Sequence, residues 1–311
     1  HGVLLEFFDM AKTPCWQIFL SHDSAQDRMG EQQGQDYRII VHFQFSDKQC
    51  IQGGTSIMAA VFVTGGATGI GAASVRKFAA NGFDVAVFDI NAQAVADLAH
   101  EGHSGSITYF ETDVRQRSAV RQSIAAAAEQ VGAPTTLFVN AGIQKLAGIF
   151  EMEDEDIDAI IDINLKGALY TVAEAAALMR DAGNGGTIVL MASDQALIGK
   201  EGSIVYGATK GAVAQMAKSL SMALVEYGIR VNAVCPATVK TPLTDQVFQW
   251  IADRHFSGDK DAAWAAEAKT LPIGRVAAPE EIAEVVYFLS QPTSSFMTGA
   301  VVPVDGGLTA Q

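Results

Sequence analysis

The chain has 311 residues, which is enough for one large domain of strands and helices or for two small ones. Apolar residues make up 49% of it and charged residues 18%, so a sizeable core can form and extensive disorder is disfavoured. The net charge of −14 argues against nucleic acid and against a membrane surface as main partners. The three cysteines, Cys15, Cys50 and Cys235, are too widely spaced for a disulfide framework, which favours a reducing cytoplasmic location.

Residues 1–57 show no alternation of strand-like and helix-like segments. Only residues 37–45 alternate well enough to predict a strand. Met58 then opens an apolar run that would suit a translation start, whereas the chain itself begins with His1. We interpret residues 1–57 as an appended or upstream-encoded extension. The alternative is a small β add-on that packs on the main domain or forms an oligomer contact.

Strand-like and helix-like segments alternate through residues 58–311. Strands are predicted over 59–64, 84–89, 106–113, 136–141, 186–193, 230–236 and 300–307. Helices are predicted over 70–81, 92–101, 116–131, 155–182, 206–227 and 279–290. Most of the strands are continuously apolar, which is typical of a sheet covered by helices on both faces. The pattern predicts an α/β fold with a doubly wound parallel sheet of seven strands, of the Rossmann type.

The first predicted strand of this region runs directly into a glycine-rich turn followed by a helix. Glycines let the backbone turn sharply and approach a diphosphate, and the helix N-terminus offers free N–H groups to it. A P-loop is excluded because Ala72 and Ala73 stand where that loop needs lysine and serine or threonine. The turn therefore predicts a dinucleotide site that includes Gly65, Thr68, Gly69, Ile70 and Gly71.

The second strand of this region ends at Asp89, which is followed by Ile90. A carboxylate here can accept hydrogen bonds from the ribose hydroxyls of a dinucleotide and would repel a 2′-phosphate. No lysine or arginine lies in the glycine turn or directly after Asp89 to neutralise such a phosphate. We therefore predict NAD rather than NADP as the cofactor, with Asp89 and Ile90 at its adenosine end.

Three polar positions further along the chain suggest proton transfer. Tyr206 and Lys210 are four residues apart on a predicted helix and so share one face of it. Ser193 closes a predicted strand at its carboxyl end, where open α/β sheets bind their ligands. Asn164 lies within the sequence DINLKG on the long helix predicted over 155–182.

Four motifs in this order resemble those of the short-chain dehydrogenase/reductase family: TGGATGIG at 64–71, NAG at 140–142, Ser193, and YGATK at 206–210. The resemblance runs from Met58 to about Leu308. It implies hydride transfer between a nicotinamide and a substrate carbon, with Tyr206 exchanging the proton and Ser193 stabilising the substrate oxygen. It also implies that Lys210 anchors the nicotinamide ribose and that Asn164 holds a water in a proton relay.

The resemblance also implies further cofactor contacts. It places Asp113 and Val114 at the adenine and Asn140 and Gly142 beside the cofactor. It counts Pro236 among the cofactor contacts and places Val239 and Thr241 at the nicotinamide carboxamide. The family usually has glycine where Ala237 stands, which puts the contacts of Val239 and Thr241 in question.

The residues explain why a lysine should accompany the tyrosine. A phenol of pKa near 10 must act near neutrality, which requires about 4 kcal/mol of preference for the phenolate. A nearby Lys210 ammonium is a suitable source of that preference.

Substrate choice is expected in a helical lid over residues 241–275, with Ser193, Gln195 and Tyr206 contacting the substrate. Asp194, Gln195 and Gln144 offer polar groups, which favours a sugar, a polyol or another small hydroxylated secondary alcohol. One alternative is a 3-oxoacyl thioester reductase, and another is a non-catalytic NAD-binding regulator. We expect no metal site, because His100 and His103 lack accompanying ligands. The resemblance also implies a homo-oligomer, either a dimer or a tetramer, because the long helices over 155–182 and 206–227 match those through which family members pair.

Overall fold

The computed structural model of the chain describes residues 16–21, 40–45 and 60–310. The chain divides into two units, His1–Ile57 and Met58–Gln311. In the first unit, strand β1 (Trp16–Ser21) pairs antiparallel with β2 (Ile40–Phe45). The strand predicted over 37–45 thus coincides with β2 from residue 40 onward, and its first three residues lie outside the described ranges.

The second unit is built on seven parallel strands, as predicted. They are β3 (Ala60–Thr64), β4 (Asp84–Asp89), β5 (Ile107–Glu111), β6 (Pro134–Val139), β7 (Gly186–Met191), β8 (Ile229–Pro236) and β9 (Val301–Val304). Their order in the sheet is β5-β4-β3-β6-β7-β8-β9. The order changes direction between β3 and β6, and a crevice for ligands forms there at the carboxyl ends of the strands.

Nine α-helices lie along residues 60–310. They are α1 (Gly69–Ala80), α2 (Ala92–Ala99), α3 (Arg117–Val131), α4 (Asp154–Ile161), α5 (Ala168–Ala182), α6 (Ile204–Leu224), α7 (Pro242–His255), α8 (Lys260–Thr270) and α9 (Pro279–Ser290). Helices α3, α5 and α6 pack on one face of the sheet, and α1, α2 and α9 pack on the other. Side chains alternate between the two faces, so the neighbours Val61 and Phe62 enter opposite cores. This double burial explains the continuously apolar strands.

The long helix predicted over 155–182 is interrupted. A π-helical segment, Asp162–Gly167, separates α4 from α5 and contains Asn164. A β-carbon on Gly167 would lie 2.8 Å from Val114 Cγ2, so only glycine lets the segment pack against the loop after β5. Hydrophobic periodicity predicted one helix because a single wider turn hardly changes the pattern of apolar residues.

Helices α7 and α8 occupy the region between β8 and α9 where the sequence predicts a lid, and we refer to them as the lid helices. Phe248 and Trp264 stack face to face with their ring centroids 3.8 Å apart, and the Lys260 ammonium lies 2.7 Å from Asp245. These two lid aromatics therefore pack the helices together. Within the described residues, no helix is both long enough and apolar enough to cross a membrane.

Candidate active site

A cleft of about 490 Å³ lies at the carboxyl ends of the strands. Most of the predicted site residues line it: Gly65, Thr68, Gly69, Ile70, Asp89, Ile90, Asp113, Val114, Asn140, Gly142, Ser193, Tyr206, Lys210, Pro236, Val239 and Thr241. Three predicted residues do not line it, namely Gly71, Asn164 and Gln195. Residues far apart in the chain meet here because parallel strands present all their carboxyl ends at one edge.

The glycine turn between β3 and α1 is tight and braced from behind. Gly65 and Gly69 have φ of +63° and +54°, in the left-handed region that favours glycine. Asn140 Nδ2 donates to the Gly65 carbonyl at 2.7 Å. A β-carbon on Gly71 would lie 2.0 Å from the same carbonyl oxygen, so Gly71 allows α1 to start directly beneath the turn. Gly71 thus shapes the turn from behind rather than lining the cleft.

Asp89 is fixed at the end of β4 by two backbone groups. Its carboxylate accepts hydrogen bonds from the Ala67 and Asn91 N–H groups, each at 3.0 Å. The first of these ties the carboxylate to the glycine turn. Ile90 is 74% exposed beside it and offers an apolar surface at the same end of the cleft.

A cation that the sequence argument missed also lies at this end. Arg115 lines the cleft, and its guanidinium donates to both carboxylate oxygens of Asp113 at 2.7 to 3.0 Å. The Arg115 guanidinium beside Asp113 holds the pKa of that carboxyl below its ordinary value. Arg115 follows β5, the next strand, and therefore lies outside the glycine turn and the residues directly after Asp89 from which the cofactor preference was predicted.

Ser193, Tyr206 and Lys210 converge at the other end of the cleft. Ser193 follows β7, and Tyr206 and Lys210 are one turn apart on α6. The Ser193 hydroxyl is within hydrogen-bonding reach of the Tyr206 phenol, and Lys210 Nζ lies 5.5 Å from the centre of the phenol ring. Lys210 Nζ donates to the Met191 carbonyl at 2.7 Å, which anchors the ammonium under the end of β7.

Burial dominates the ionisation of both groups. It raises the pKa of the Tyr206 phenol, and the nearby Asp194 charge raises it further, while the hydrogen bond from Ser193 opposes both effects. Burial also lowers the pKa of Lys210 to about 8. Burial therefore outweighs the other influences on the phenol, and the acidification of Tyr206 by Lys210 stays a prediction.

Asn164 fixes the loop that follows β6. Its Oδ1 accepts from the Ile143 N–H at 2.8 Å, and its Nδ2 donates to the Ile143 carbonyl at 2.9 Å. A β-carbon on Gly142 would lie 3.2 Å from Asn164 Oδ1 and 3.6 Å from Lys210 Nζ. Asn164 therefore lies behind the cleft wall, close to Lys210, with Gly142 between them.

The polar side chains expected to contact the substrate lie in different places, and only some of them line the cleft. Gln144 lines the cleft and donates to Ser203 Oγ at 2.9 Å. Asp194 is 2% exposed and accepts from Ser193 Oγ at 2.7 Å, so its carboxylate is used inside the protein. Gln195 packs beside Gly207 and does not line the cleft. The sequence could not show these directions because neighbouring side chains at a strand end diverge.

The loop after β8 joins the site to the lid. Thr241 Oγ1 caps α7 by accepting from the Thr244 N–H at 3.3 Å, and Thr244 and Leu243 line the cleft although the sequence argument missed them. Burial raises the pKa of the Cys235 thiol in β8 to about 11, so this cysteine is held as a neutral thiol. Among the described residues, no group of three or more His, Cys, Asp or Glu side chains could hold a metal ion.

Comparison with known proteins decides the family. The family described as enoyl-(acyl carrier protein) reductase matches residues 65–309. Oxidoreductase UcpA of Escherichia coli is 35% identical over 250 residues, covering 79% of this chain and 93% of that protein. The chain belongs to the short-chain dehydrogenase/reductase family. It is therefore an oxidoreductase whose fold binds a nicotinamide cofactor.

Two further members show the range of this family. The 3-oxoacyl-[acyl-carrier-protein] reductase FabG of Thermotoga maritima is 33% identical over 248 residues, covering 79% of this chain and 96% of that protein. The ligand-free structure of aldohexose dehydrogenase from Thermoplasma acidophilum superposes with a TM-score of 0.73 at 29% identity. It covers 83% of this chain and 97% of that one.

The cleft of this member of the family suits a nicotinamide dinucleotide. A β-carbon on Gly69 would lie 3.1 Å from Thr241 Cγ2, so glycine keeps the narrow passage between the turn and the β8 loop open. Thr68 makes no side-chain cap at the start of α1, which leaves the first N–H groups of the helix for a diphosphate. The lining includes both Asp89 and Tyr206, which are expected at opposite ends of such a cofactor.

Proposed function

We propose that this protein is an NAD-dependent dehydrogenase that interconverts a secondary alcohol and a ketone. One observation carries the proposal: Ser193, Tyr206 and Lys210 meet at one end of a cleft whose other end holds the glycine turn and Asp89. Groups suited to proton exchange and a carboxylate suited to adenosine thus line one cleft, which supports the proposal.

In the proposed reaction, four side chains have separate roles. When bound, the nicotinamide supplies the hydride chemistry. Tyr206 exchanges a proton with the substrate oxygen, and Ser193 hydrogen-bonds that oxygen. Lys210 supplies a positive charge near the phenol and would hold the nicotinamide ribose. Asn164 keeps the loop after β6 in place next to Lys210 and, by resemblance, serves the proton relay.

Two features support NAD as the cofactor. The Asp89 carboxylate is held at the adenosine end by Ala67 and Asn91, where it would repel a 2′-phosphate. The cations in the cleft lining are Lys210, at the far end, and Arg115, whose guanidinium is occupied by Asp113.

The cofactor preference can be tested with Asp89→Asn. Removing the charge while keeping the shape should raise the ratio of NADP to NAD kcat/KM by about tenfold or more, equivalent to about 1.4 kcal/mol. Asp84→Asn, at the other end of β4, is the matched control and should leave the ratio unchanged. A wild-type preference for NADP would overturn the assignment.

A hydroxylated substrate is supported by Gln144 in the cleft lining and by the likeness to a protein named as an aldohexose dehydrogenase. A second candidate, reduction of a 3-oxoacyl thioester, is supported by the likeness to FabG. A panel of sugars, polyols, simple secondary alcohols, a 3-oxoacyl thioester and an enoyl thioester, assayed by nicotinamide absorbance, separates these outcomes. We expect the highest kcat/KM with a polyol or sugar and NAD. No turnover with any substrate, together with tight NAD binding, would instead support a non-catalytic regulator.

We also propose that the chain forms a homo-oligomer through α5 and α6. Both helices keep apolar side chains on the surface, with Leu169 44% exposed and Met222 79% exposed. Sedimentation analysis of the purified protein measures the assembly directly. The buried, unpaired Cys235 thiol is compatible with a reducing compartment, which supports the cytoplasm as the site of action.

A further inference from the structure

A buried carboxylate lies directly beside Ser193. Asp194 is 2% exposed, and its Oδ1 accepts the Ser193 hydroxyl proton at 2.7 Å. The Lys200 ammonium lies 2.8 Å from Asp194 Oδ2. A carboxylate this deep is costly unless a cation accompanies it. Lys200, from the loop before α6, is that cation.

The carboxylate determines how the Ser193 hydroxyl is held. A serine hydroxyl has one proton and two lone pairs. The proton goes to Asp194, and one lone pair accepts from the Gln195 N–H at 3.2 Å. These two bonds fix the Ser193 oxygen at the cleft wall, with a lone pair left for the phenol of Tyr206 or for a substrate hydroxyl.

The Asp194 carboxylate also disfavours ionisation of the Tyr206 phenol. A negative charge close to a tyrosine disfavours the phenolate, and Asp194 accordingly raises the pKa of Tyr206. Asp194 also raises the pKa of Cys235 on β8. A bare carboxylate at this position would therefore hinder proton removal from an alcohol.

Other charged groups surround the pair. Glu267 on the lid helix α8 lies 3.8 Å from the Lys200 ammonium and accepts a hydrogen bond from Thr238. Lys210 on α6 and Asp305 after β9 are the further charges near Cys235 on this side of the sheet. Of these groups, Asp194 makes the closest ion pair with Lys200.

We propose that Lys200 is a positioning residue that holds Asp194 against Ser193 and screens the Asp194 charge from Tyr206. This inference rests on the proposed function, in which Tyr206 exchanges the substrate proton. Lys200 thereby allows Asp194 to orient the Ser193 hydroxyl while Tyr206 can still lose its proton.

The test follows the ionisation of Tyr206 itself. The full chain is saturated with NAD and carries tyrosine labelled at its ζ carbon for NMR, and the Tyr206 signal is assigned by its loss in Tyr206→Phe. Lys200→Met, similar in shape but uncharged, should raise the midpoint of the Tyr206 titration by about one pH unit. The midpoint of the kcat profile for alcohol oxidation should rise with it. Lys200→Arg should restore the wild-type midpoint.

A double-mutant cycle tests whether the effect of Lys200→Met on the Tyr206 titration depends on the Asp194 charge. In the Asp194→Asn background, Lys200→Met should have less than half of its effect on the midpoint, because the charge to be screened is gone. Lys269→Met, an exposed lysine on α8, is the matched control and should have no effect. If Lys200→Met does not fold, Lys200→Gln replaces it, since glutamine keeps a donor for Asp194 without the charge.

The outcomes are distinct. An unchanged midpoint in the uncharged Lys200 variant, or an equal rise in both backgrounds, would overturn the proposal. Absence of turnover by the wild type would reject the proposed dehydrogenase function, whereas the NMR midpoints would still decide the role of Lys200.

Discussion

Tyr206 and Lys210 meet in the cleft, with the lysine buried and the tyrosine partly buried, and burial opposes the charged form of each. The protein alone therefore disfavours the phenolate, whereas an ammonium whose pKa is about 8 is still mostly protonated at neutral pH. Hydrogen bonding with Ser193 lowers the pKa of the Tyr206 phenol and so opposes the effect of burial, and Lys210 is held by the Met191 carbonyl. At the scale of single residues, burying these two ionisable groups lowers the stability of the folded protein.

Tyr206→Phe removes only the phenol oxygen. We expect kcat to fall by about a thousandfold or more, because proton exchange with the substrate loses its donor and acceptor. The Kd for NAD, measured by fluorescence titration, should change by less than about threefold, since the ring and Lys210 remain. Turnover near the wild-type level would show that another group moves the proton.

Lys210→Met should stabilise the protein without cofactor near neutral pH. The pKa of Lys210 is lowered to about 8 in the folded state, so the unfolded state binds more protons between about pH 8 and its ordinary pKa. The contribution of Lys210 to the free energy of unfolding therefore rises with pH over that window and is least favourable below it. Tyr206 and Cys235, whose pKa values are raised, change stability in the opposite sense above about pH 9, so the comparison must be a difference between variants.

We expect the free energy of unfolding of wild type, relative to Lys210→Met, to rise by about 2 kcal/mol from pH 8 to pH 10. Denaturant titrations at several pH values measure it. Lys269→Met should show no such trend. A flat difference for Lys210→Met would mean that the buried amine keeps its ordinary pKa.

At the scale of elements, the π-helical segment Asp162–Gly167 positions two residues next to the site in a way that a regular helix would not. It places Asn164 against the Ile143 backbone and Gly167 against Val114, which lines the adenosine end of the cleft. One wide turn therefore touches both ends of the site. π turns of this kind are frequent at functional sites.

Gly167→Ala tests this coupling. Its new methyl would meet Val114 at 2.8 Å, so we expect a loss of about 1 to 3 kcal/mol in stability and weaker NAD binding. Gly211→Ala, in the middle of α6 with open space around it, is the matched control and should instead stabilise by up to about 1 kcal/mol. Calorimetry and NAD titration of both variants provide the comparison. Equal effects of the two substitutions would contradict the role of the π segment.

At the scale of the whole molecule, the seven-stranded sheet, both of its helix layers and the cleft belong to the unit Met58–Gln311. The family match, residues 65–309, lies within this unit as well. All the residues assigned to the proposed reaction come from it.

A chain beginning at Met58 should therefore fold and turn over substrate like the full chain. We expect kcat/KM within about twofold and Tm within a few degrees, because the core clusters on both faces of the sheet remain complete. Loss of activity or of the oligomer on removal of residues 1–57 would support the alternative that this segment forms an interface.

The sequence by itself was sufficient for the sheet, the family and the positions of the main site residues. Apolar strands separated by amphipathic helices can close into few topologies, and parallel strands bring Gly65, Asp89 and Ser193 to one edge. Tyr206 and Lys210 were predictable because helical spacing fixes which residues share a face.

Only the tertiary structure decided where individual polar groups point. Asp194 turns inward to Lys200, Arg115 is bound by Asp113, and Lys210 donates to Met191. Hydrophobic periodicity likewise could not reveal the π-helical turn that contains Asn164. Each of these depends on contacts between segments distant in the chain, and the free energies that choose among side-chain directions come from those contacts rather than from local sequence.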